Sequence, residues 1–355
     1  MNVASLFSGI GSFEHSLLKN NIKHNILFAC DVDKYCKQNY LNNYKPEKFF
    51  DDIKDIDATK YKDKIDLLVG GCPCQSFSIA GRRKGLDDSR GQLLLEYIRV
   101  IKDSKPKVFI FENVKGILSY MIIKNEDSKE KIKLFDWLIE QFKNLEYNLQ
   151  YKVISGLDVG INQSRQRIFL VGQLKTNKDI KDNIFDDISK KKIKSDKKIK
   201  DYLDNEIDEK YIISNHKWQK WIFDSKHIDK QKMRILSKNR KDYIICQTAR
   251  QYRSWFGNFV IEKYKCKDFT YSDDAKKYIK NNEIIPLGFK KFNYKKIIKE
   301  SIIRKLTPDE CLRFMGFDTS VFNNKCSNAQ IYKQCGNSII VNCFDYIFDK
   351  LYYVD

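Results

Sequence analysis

Short apolar runs alternate with helix-period segments over the first 173 residues. Residues 3–7, 26–30, 66–69, 107–111, 151–155 and 167–171 are each mostly apolar and of strand length. Between them Leu94, Ile98 and Ile101, and then Phe135, Leu138 and Phe142, recur at the spacing of one helix face. Apolar strands alternating with amphipathic helices predict an α/β fold, a parallel sheet wrapped by helices. After Gly172 the pattern changes. Residues 190–200 hold seven lysines against one aspartate, which predicts an exposed loop or a solvated helix face. Residues 211–299 lose periodicity and set Trp218, Trp221, Tyr252, Trp255 and Phe256 among basic residues, as in a second, smaller domain. Helical order is expected to return around Arg304, and residues 337–351 read as a terminal amphipathic helix. No internal repeat interrupts this plan.

Composition narrows the function. At 355 residues, 42% of them apolar, the chain can bury a large α/β domain and a smaller one. No run approaches the roughly 18 apolar residues of a membrane span. The first residues enter a strand directly, so no secretory leader is expected and the setting is read as cytoplasmic. A net charge of +19 points to a polyanionic partner, because a basic surface gains affinity by releasing phosphate counterions. The alternative is that the lysines reflect only a composition rich in Lys, Ile and Asn. The ten cysteines read as reduced thiols, with Cys30, Cys36, Cys311 and Cys343 as small core residues. Cys72 and Cys74 have no second Cys/His pair at zinc spacing, so no metal is expected.

Two segments carry candidate chemistry. Ser5-Leu6-Phe7-Ser8-Gly9-Ile10-Gly11 ends one strand and opens a helix, a turn whose glycines let backbone approach a ligand. A nucleotide site of this layout wants an acid about 20 positions on for the ribose hydroxyls, and Asp31 stands 20 residues after Gly11. Glu14 replaces the third glycine of the dinucleotide fingerprint, which disfavours NAD or FAD and leaves an adenosine-type ligand open. The other segment is Gly70-Gly71-Cys72-Pro73-Cys74-Gln75-Ser76-Phe77-Ser78, which places Cys74 at the carboxyl edge of the sheet, where ligands of open α/β sheets bind. Roughly a tenth of an unperturbed thiol is thiolate at slightly alkaline pH. Nearby positive charge or a helix N-terminus raises that fraction. A lone cysteine is more often a buried apolar thiol. A Pro-Cys-Gln between a strand and a polar, glycine-bearing loop is a poor core position and favours a nucleophile.

With Pro73-Cys74-Gln75 and the following loop of residues 81–91, the chain resembles the DNA (cytosine-5) methyltransferase family of bacterial restriction–modification systems. Glu112-Asn113-Val114 matches that family's E-N-V motif, and Gln163-Ser164-Arg165-Gln166-Arg167 its Q-x-R-x-R motif. Arg304-Lys305-Leu306-Thr307-Pro308 with Met315-Gly316-Phe317 matches a late motif, and Gln334-Cys335-Gly336-Asn337-Ser338 the closing G-N-S motif. The motifs stand in family order over about 200 of the 355 residues, omitting 175–300.

The resemblance implies a doubly wound, Rossmann-like S-adenosylmethionine-dependent domain of residues 1–175 and 326–355, with an inserted target-recognition domain of residues 176–325. It makes Cys74 the thiolate that attacks cytosine carbon 6, and Glu112 the protonated acid on ring nitrogen 3. Arg167, with Arg165 beside it, holds the carbonyl oxygen. For S-adenosyl-L-methionine it implies Phe7, Gly9 and Gly11 as the methionine-side turn, Asp31 on the ribose, and Val32, Asp52 and Ile53 around adenine. Pro73, Leu93, Asn337 and Ser338 complete that site. Asp31 is shorter than the family's usual glutamate, and Val32 smaller than its usual stacking residue, departures that would weaken cofactor affinity. The implied partner is double-stranded DNA. Gln75 and Ser78 are implied DNA contacts, and the loop of residues 78–91 is a candidate lid, with Arg82, Arg83 and Lys84 for phosphates. Thr248, Arg250 and Gln251 fall where the family reads bases, although phosphate or structural contacts suit the last two equally. A monomer in the bacterial cytoplasm, linked to a restriction endonuclease only through a shared site, completes the expectation.

Three rivals stand beside it. A transfer-RNA branch shares the fold, but the long, basic, aromatic insert argues for DNA. A silent DNA-binding protein would not need Cys74, Glu112 and Arg167 together. A nicotinamide oxidoreductase lacks its third glycine and leaves Pro73-Cys74-Gln75 without a role.

Overall fold

A computed structural model of the chain describes residues 1–73, 89–125, 130–189, 195–213, 234–237, 243–251, 257–264 and 301–352. All six expected strands form: β1 (Asn2–Leu6), β2 (Asn25–Cys30), β4 (Leu67–Gly70), β5 (Val108–Val114), β8 (Tyr147–Ser155) and β10 (Gln166–Leu174). A short edge strand, β3 (Lys48–Phe50), joins them in one sheet of order β3-β2-β1-β4-β5-β10-β8. Five strands from β3 to β5 run parallel, as expected. The parallel reading fails at β10, which lies antiparallel between β5 and β8. The ten residues from Gly156 to Arg165 are too few for a crossover, which needs a dozen or more, so the chain turns straight back.

Alternation along each strand sends side chains to both faces, and both faces are covered. On one face Val3, Val69 and Ile110 pack under α1 (Ser12–Lys19), α2 (Lys34–Asn43) and the C-terminal helix, through Phe13, Leu17, Tyr40, Phe344 and Ile347. On the other, Ala4, Leu68, Phe109 and Phe111 pack under α3 (Ser89–Ser104) and α4 (Leu134–Asn144), through Leu94, Tyr97, Leu138 and Phe142. Those are the helices that the apolar periodicity predicts. Cys30, Cys36, Cys311 and Cys343 are buried thiols, as expected.

Two boundaries move. Helical order does not return at Arg304, which lies in β14 (Ser301–Lys305); the helix α5 (Pro308–Phe314) starts later. Thr307 is its N-cap, in a capping box with Glu310, and Pro308 sits in the first turn, so the start is sharp. The terminal helix forms but starts at Val341 instead of residue 337, because another helix ends there. Residues Asn328–Asn337 form α6, Ser338 is extended, and α7 (Val341–Tyr352) follows. The carbonyls of Gly336 and Ser338 at this break accept from Arg165, which holds the interruption open. α7 lies on α1, with Phe13 edge-on to Phe344 and Phe348, and Asp345 accepting from Ser16 and Asn20.

Within residues 176–325, β11 (Arg234–Ser237), β13 (Asn258–Tyr264) and β14 form a three-stranded sheet. A further short strand, β12 (Ile244–Ile245), pairs with β9 (Gln163–Ser164) beside the main sheet, and β6 (Met121–Asn125) with β7 (Glu130–Lys133) makes a hairpin. Of the lysine-rich stretch, residues 190–194 and the recognition-domain aromatics Trp218, Trp221, Tyr252, Trp255 and Phe256 lie outside the described residues. At the end of that stretch Ile199, and just past it Tyr202, are buried in the core, against the expectation of a wholly exposed segment.

Candidate active site

Register decides what meets at the sheet edge. Leu6 pairs with Cys30 on one side and Gly70 on the other, and Gly70 pairs with Phe111. The next residue of each strand is therefore Phe7, Asp31, Gly71 and Glu112, all leaving the same carboxyl edge. β1 is where the strand order reverses, and a cleft of about 450 Å³ opens there, between the turn Phe7-Ser8-Gly9, Gly71, Glu112 and Asn337-Ser338.

The turn is bent as a ligand-binding turn requires. Phe7 and Gly9 have φ of 53° and 56°, and a side chain on Gly9 would meet nothing within 4 Å. Gly11 differs. With φ of 80°, its missing Cβ would fall 2.1 Å from the Tyr44 ring, so that glycine serves helix packing. Asp31 Oδ2 accepts from the Gly9 amide at 2.7 Å and Oδ1 from the Asp33 amide at 2.8 Å. A carboxylate has about four acceptor positions, so two remain for ribose hydroxyls. Burial raises the Asp31 pKa, opposed by those amides. Val32 is 85% exposed beside it, an apolar face open to a planar ring. Asp52 caps the turn at Lys54, whereas Ile53 is buried in the core under the sheet. Leu93 packs against that same core, and Pro73 is exposed. Asn337 is exposed, and Ser338 Oγ shares a 2.6 Å hydrogen bond with Ser12.

Glu112 is the buried acid of the cleft. Burial raises its pKa, while Arg167 and Arg165 pull it down. The Arg167 Nε stands 3.2 Å from Glu112 Oε1, a partner delivered by the antiparallel pairing of β10 with β5. Gly71 is part of this arrangement: a Cβ there would lie 2.8 Å from Glu112 Oε2, so only glycine lets the loop cross the carboxyl. Asn113 donates to the Cys72 carbonyl at 3.0 Å and ties the loop to β5. Sequence reasoning gave Gly71 and Asn113 no role, although the first lies in the cysteine segment and the second in E-N-V.

Arg165 is placed differently from the expectation of a cytosine-facing group. It is 3% exposed, and its guanidinium donates to the carbonyls of Gln247, Gly336 and Ser338 at 2.7–3.0 Å. Gln163 joins the same network, accepting from the Gln247 amide and donating to the Phe314 carbonyl. Gln251 turns inward, donating to Gln247 Oε1 at 3.0 Å, whereas Thr248 and Arg250 are exposed on this loop. Cys74, Gln75, Ser78, Arg82, Arg83 and Lys84 lie outside the described residues.

The sequence pattern of C-5 cytosine-specific DNA methylases matches residues 1–353. The chain belongs to that family. Among relatives, an orphan methyltransferase, M.Rho11sI of Bacillus phage rho11s, is 36% identical over 174 residues, 48% of this chain and 33% of its own length. M.DsaV of Dactylococcopsis salina, a type II methyltransferase, is 30% identical over 353 residues, 99% of this chain and 86% of its own. The chain spans about a third to about a half of the length of several curated relatives it matches. Among solved structures, the Dnmt2 methyltransferase of S. pombe superposes with a TM-score of 0.68 at 20% identity, covering 99% of this chain and 98% of that one, a likeness of fold.

The cleft suits an adenosine-type cofactor with a cationic tail. It offers the open Gly9 turn, acceptor positions on Asp31 and, on its wall, the buried Glu14 Oε2, without a partner among the described residues. Among the described residues no helix is long and apolar enough to cross a membrane, and no cluster of metal-ligating side chains forms.

Proposed function

We propose that the chain methylates carbon 5 of cytosine in double-stranded DNA, using S-adenosyl-L-methionine and a covalent adduct at Cys74. The observation that carries this is Glu112, buried in the wall of the cleft, paired with the partly exposed Arg167 and crossed by the Gly71 loop that leads to Cys74. Carbon 5 of cytosine is a weak nucleophile. Addition of the Cys74 thiolate at carbon 6 makes it enamine-like, which is covalent catalysis. Burial raises the Glu112 pKa against Arg167 and Arg165, which favours the protonated carboxyl that this mechanism needs to donate to ring nitrogen 3 as charge develops. Arg167 then has its remaining N–H groups for the cytosine carbonyl oxygen, and Arg165 positions the loops around them. The bound cofactor supplies an electrophilic methyl group. Water takes the carbon-5 proton, and the thiolate leaves.

A cytosine in a duplex must be turned out of the stack to reach this cleft, at a cost of about a few kcal/mol. Contacts in the pocket offset that, together with phosphate contacts from Arg82, Arg83 and Lys84. Residues 176–325 act as the target-recognition domain, with Thr248 and Arg250 presented to DNA. The protein works as a cytoplasmic monomer of bacteria, sharing its site with a restriction endonuclease.

Base-resolution methylation sequencing of DNA from a methylation-free host expressing the chain, beside Cys74→Ala, tests the reading. 5-Methylcytosine at one short motif, absent with the variant, is the expected result. No mark from soluble, folded wild-type protein overturns it.

A further inference from the structure

Glu14, which stands where a dinucleotide site would have glycine, is fully buried on α1. Ser5 Oγ and Tyr40 OH both donate to its Oε1 at 2.6 Å. Among the described residues its Oε2 is buried and has no hydrogen-bond partner. The carboxyl forms part of the cleft wall, beside Ser12 and the Phe7-Ser8-Gly9 turn. None of the described residues lining the cleft is basic, yet two of them are buried acids. Glu112 has Arg167. Among the described residues Glu14 has no cation beside it, and a buried acceptor left unmatched is costly.

The ligand must then supply what the wall lacks. A sulfonium has no N–H to donate and belongs near the reacting carbon, toward Glu112. A ribose hydroxyl is a neutral donor, and Asp31 already has room for it. An α-ammonium has three donors and a full charge. Burial raises the Glu14 pKa against its hydrogen-bond donors, and a cation at Oε2 would offset that burial and favour the carboxylate.

We propose that Glu14 Oε2 receives the α-ammonium of the cofactor's methionine moiety and so anchors its tail at the β1–α1 turn. This rests on the cofactor reading above. It makes Glu14 a binding residue for the tail, while Ser5 and Tyr40 hold its other oxygen in place.

Two ligands separate the roles: S-adenosylhomocysteine, which carries the ammonium, and 5′-methylthioadenosine, which lacks the amino-acid tail. Their dissociation constants are measured calorimetrically on the full chain, wild type beside Glu14→Gln and Glu14→Asp. Glu14→Gln is expected to weaken S-adenosylhomocysteine at least about tenfold and to leave methylthioadenosine within about twofold. Glu14→Asp, which keeps the charge, is expected to fall between. Unchanged S-adenosylhomocysteine affinity in Glu14→Gln overturns the assignment and leaves the cofactor reading standing. Parallel loss of both ligands in both variants makes Glu14 a packing residue and also overturns it. A wild-type chain that binds neither ligand removes the cofactor reading, and this assignment with it.

Discussion

Gly336 offers a sharp test of how the closing motif is joined to the loop at Thr248. It lies buried in α6, and a Cβ there would sit 2.1 Å from the Ala249 nitrogen and 2.1 Å from the Thr248 carbonyl carbon. Ordinary carbon contacts are about 3.5–4.0 Å, so Gly336→Ala needs a retreat of more than about 1 Å. The loop cannot give way freely. Its Gln247 carbonyl accepts from Arg165, its Gln247 amide donates to Gln163, and the Gln247 side chain donates to the Cys311 carbonyl. Two effects oppose each other. Alanine in a helix interior gains about 1 kcal/mol over glycine, and less near a C-terminus. Overpacking costs about 1–3 kcal/mol, and more where the obstacle is backbone. The clash should win, with a net loss of about 1–2 kcal/mol. Urea unfolding followed by circular dichroism measures it, with Gly116→Ala as control. At Gly116 the nearest atom to a Cβ, on Val114, is 4.0 Å away, and near-neutrality is expected. A Gly336→Ala chain as stable as wild type would refute the reasoning.

Three further changes follow from the same geometry. Glu112→Gln should lower methyl transfer at least about a hundredfold by single-turnover assay. Because the folded state holds the Glu112 proton above the ordinary 4.5, wild-type stability should fall as pH rises from 4.5 through the raised value, and Glu112→Gln should abolish that slope. His15, pushed by burial to about 4, accepts from the Asp318 amide. Stability from it is complete above the unfolded value of 6.5 and lost as pH falls toward 4, by up to about 3 kcal/mol, and His15→Gln should flatten urea midpoints over that range. Arg165→Lys replaces a fork by one point donor that cannot reach Gln247 and Ser338 together. A loss of about 2 kcal/mol in the same unfolding assay is expected, and an unchanged midpoint would disprove the clamp.

What could be read from the chain, and what could not, divides along a physical line. Strands β1, β2, β4 and β5 are apolar on both faces because helices cover both, so their signal is dense and local. The edge strand β3 is three residues, Lys48-Phe49-Phe50, too short for any period. The reversed direction of β10 has no signature in its own residues, and only the short connection from β8 reveals it. Arg304 sits among Ser301, Ile302 and Ile303, a strand-like run that a motif-led reading passed over in favour of the helix two turns on.

The site divides in the same way. Glu112, Arg167, Asp31 and the Gly9 turn are legible because each lies at or just past the cleft end of its strand, and register does the rest. Arg165 and Gln251 are of the right type for bases or phosphates, and type alone assigns them outward roles, while Gln163 has none beyond its place in the Q-x-R-x-R motif. The fold turns all three inward, onto main-chain carbonyls and onto Gln247, which no motif contains. A polar side chain's partners are set by which loops pack over it, and those loops lie 80 to 170 residues away in the chain. Long-range satisfaction of buried donors therefore hides from a linear reading, whereas chemistry placed at strand ends does not. The loop carrying Thr248 and Arg250 is pinned through Arg165 to the Ser338 carbonyl at the cleft. On the proposed function, a base contact that shifts this loop would reach Ser338 through Arg165, and Arg165→Lys should weaken any coupling between target and cofactor affinity.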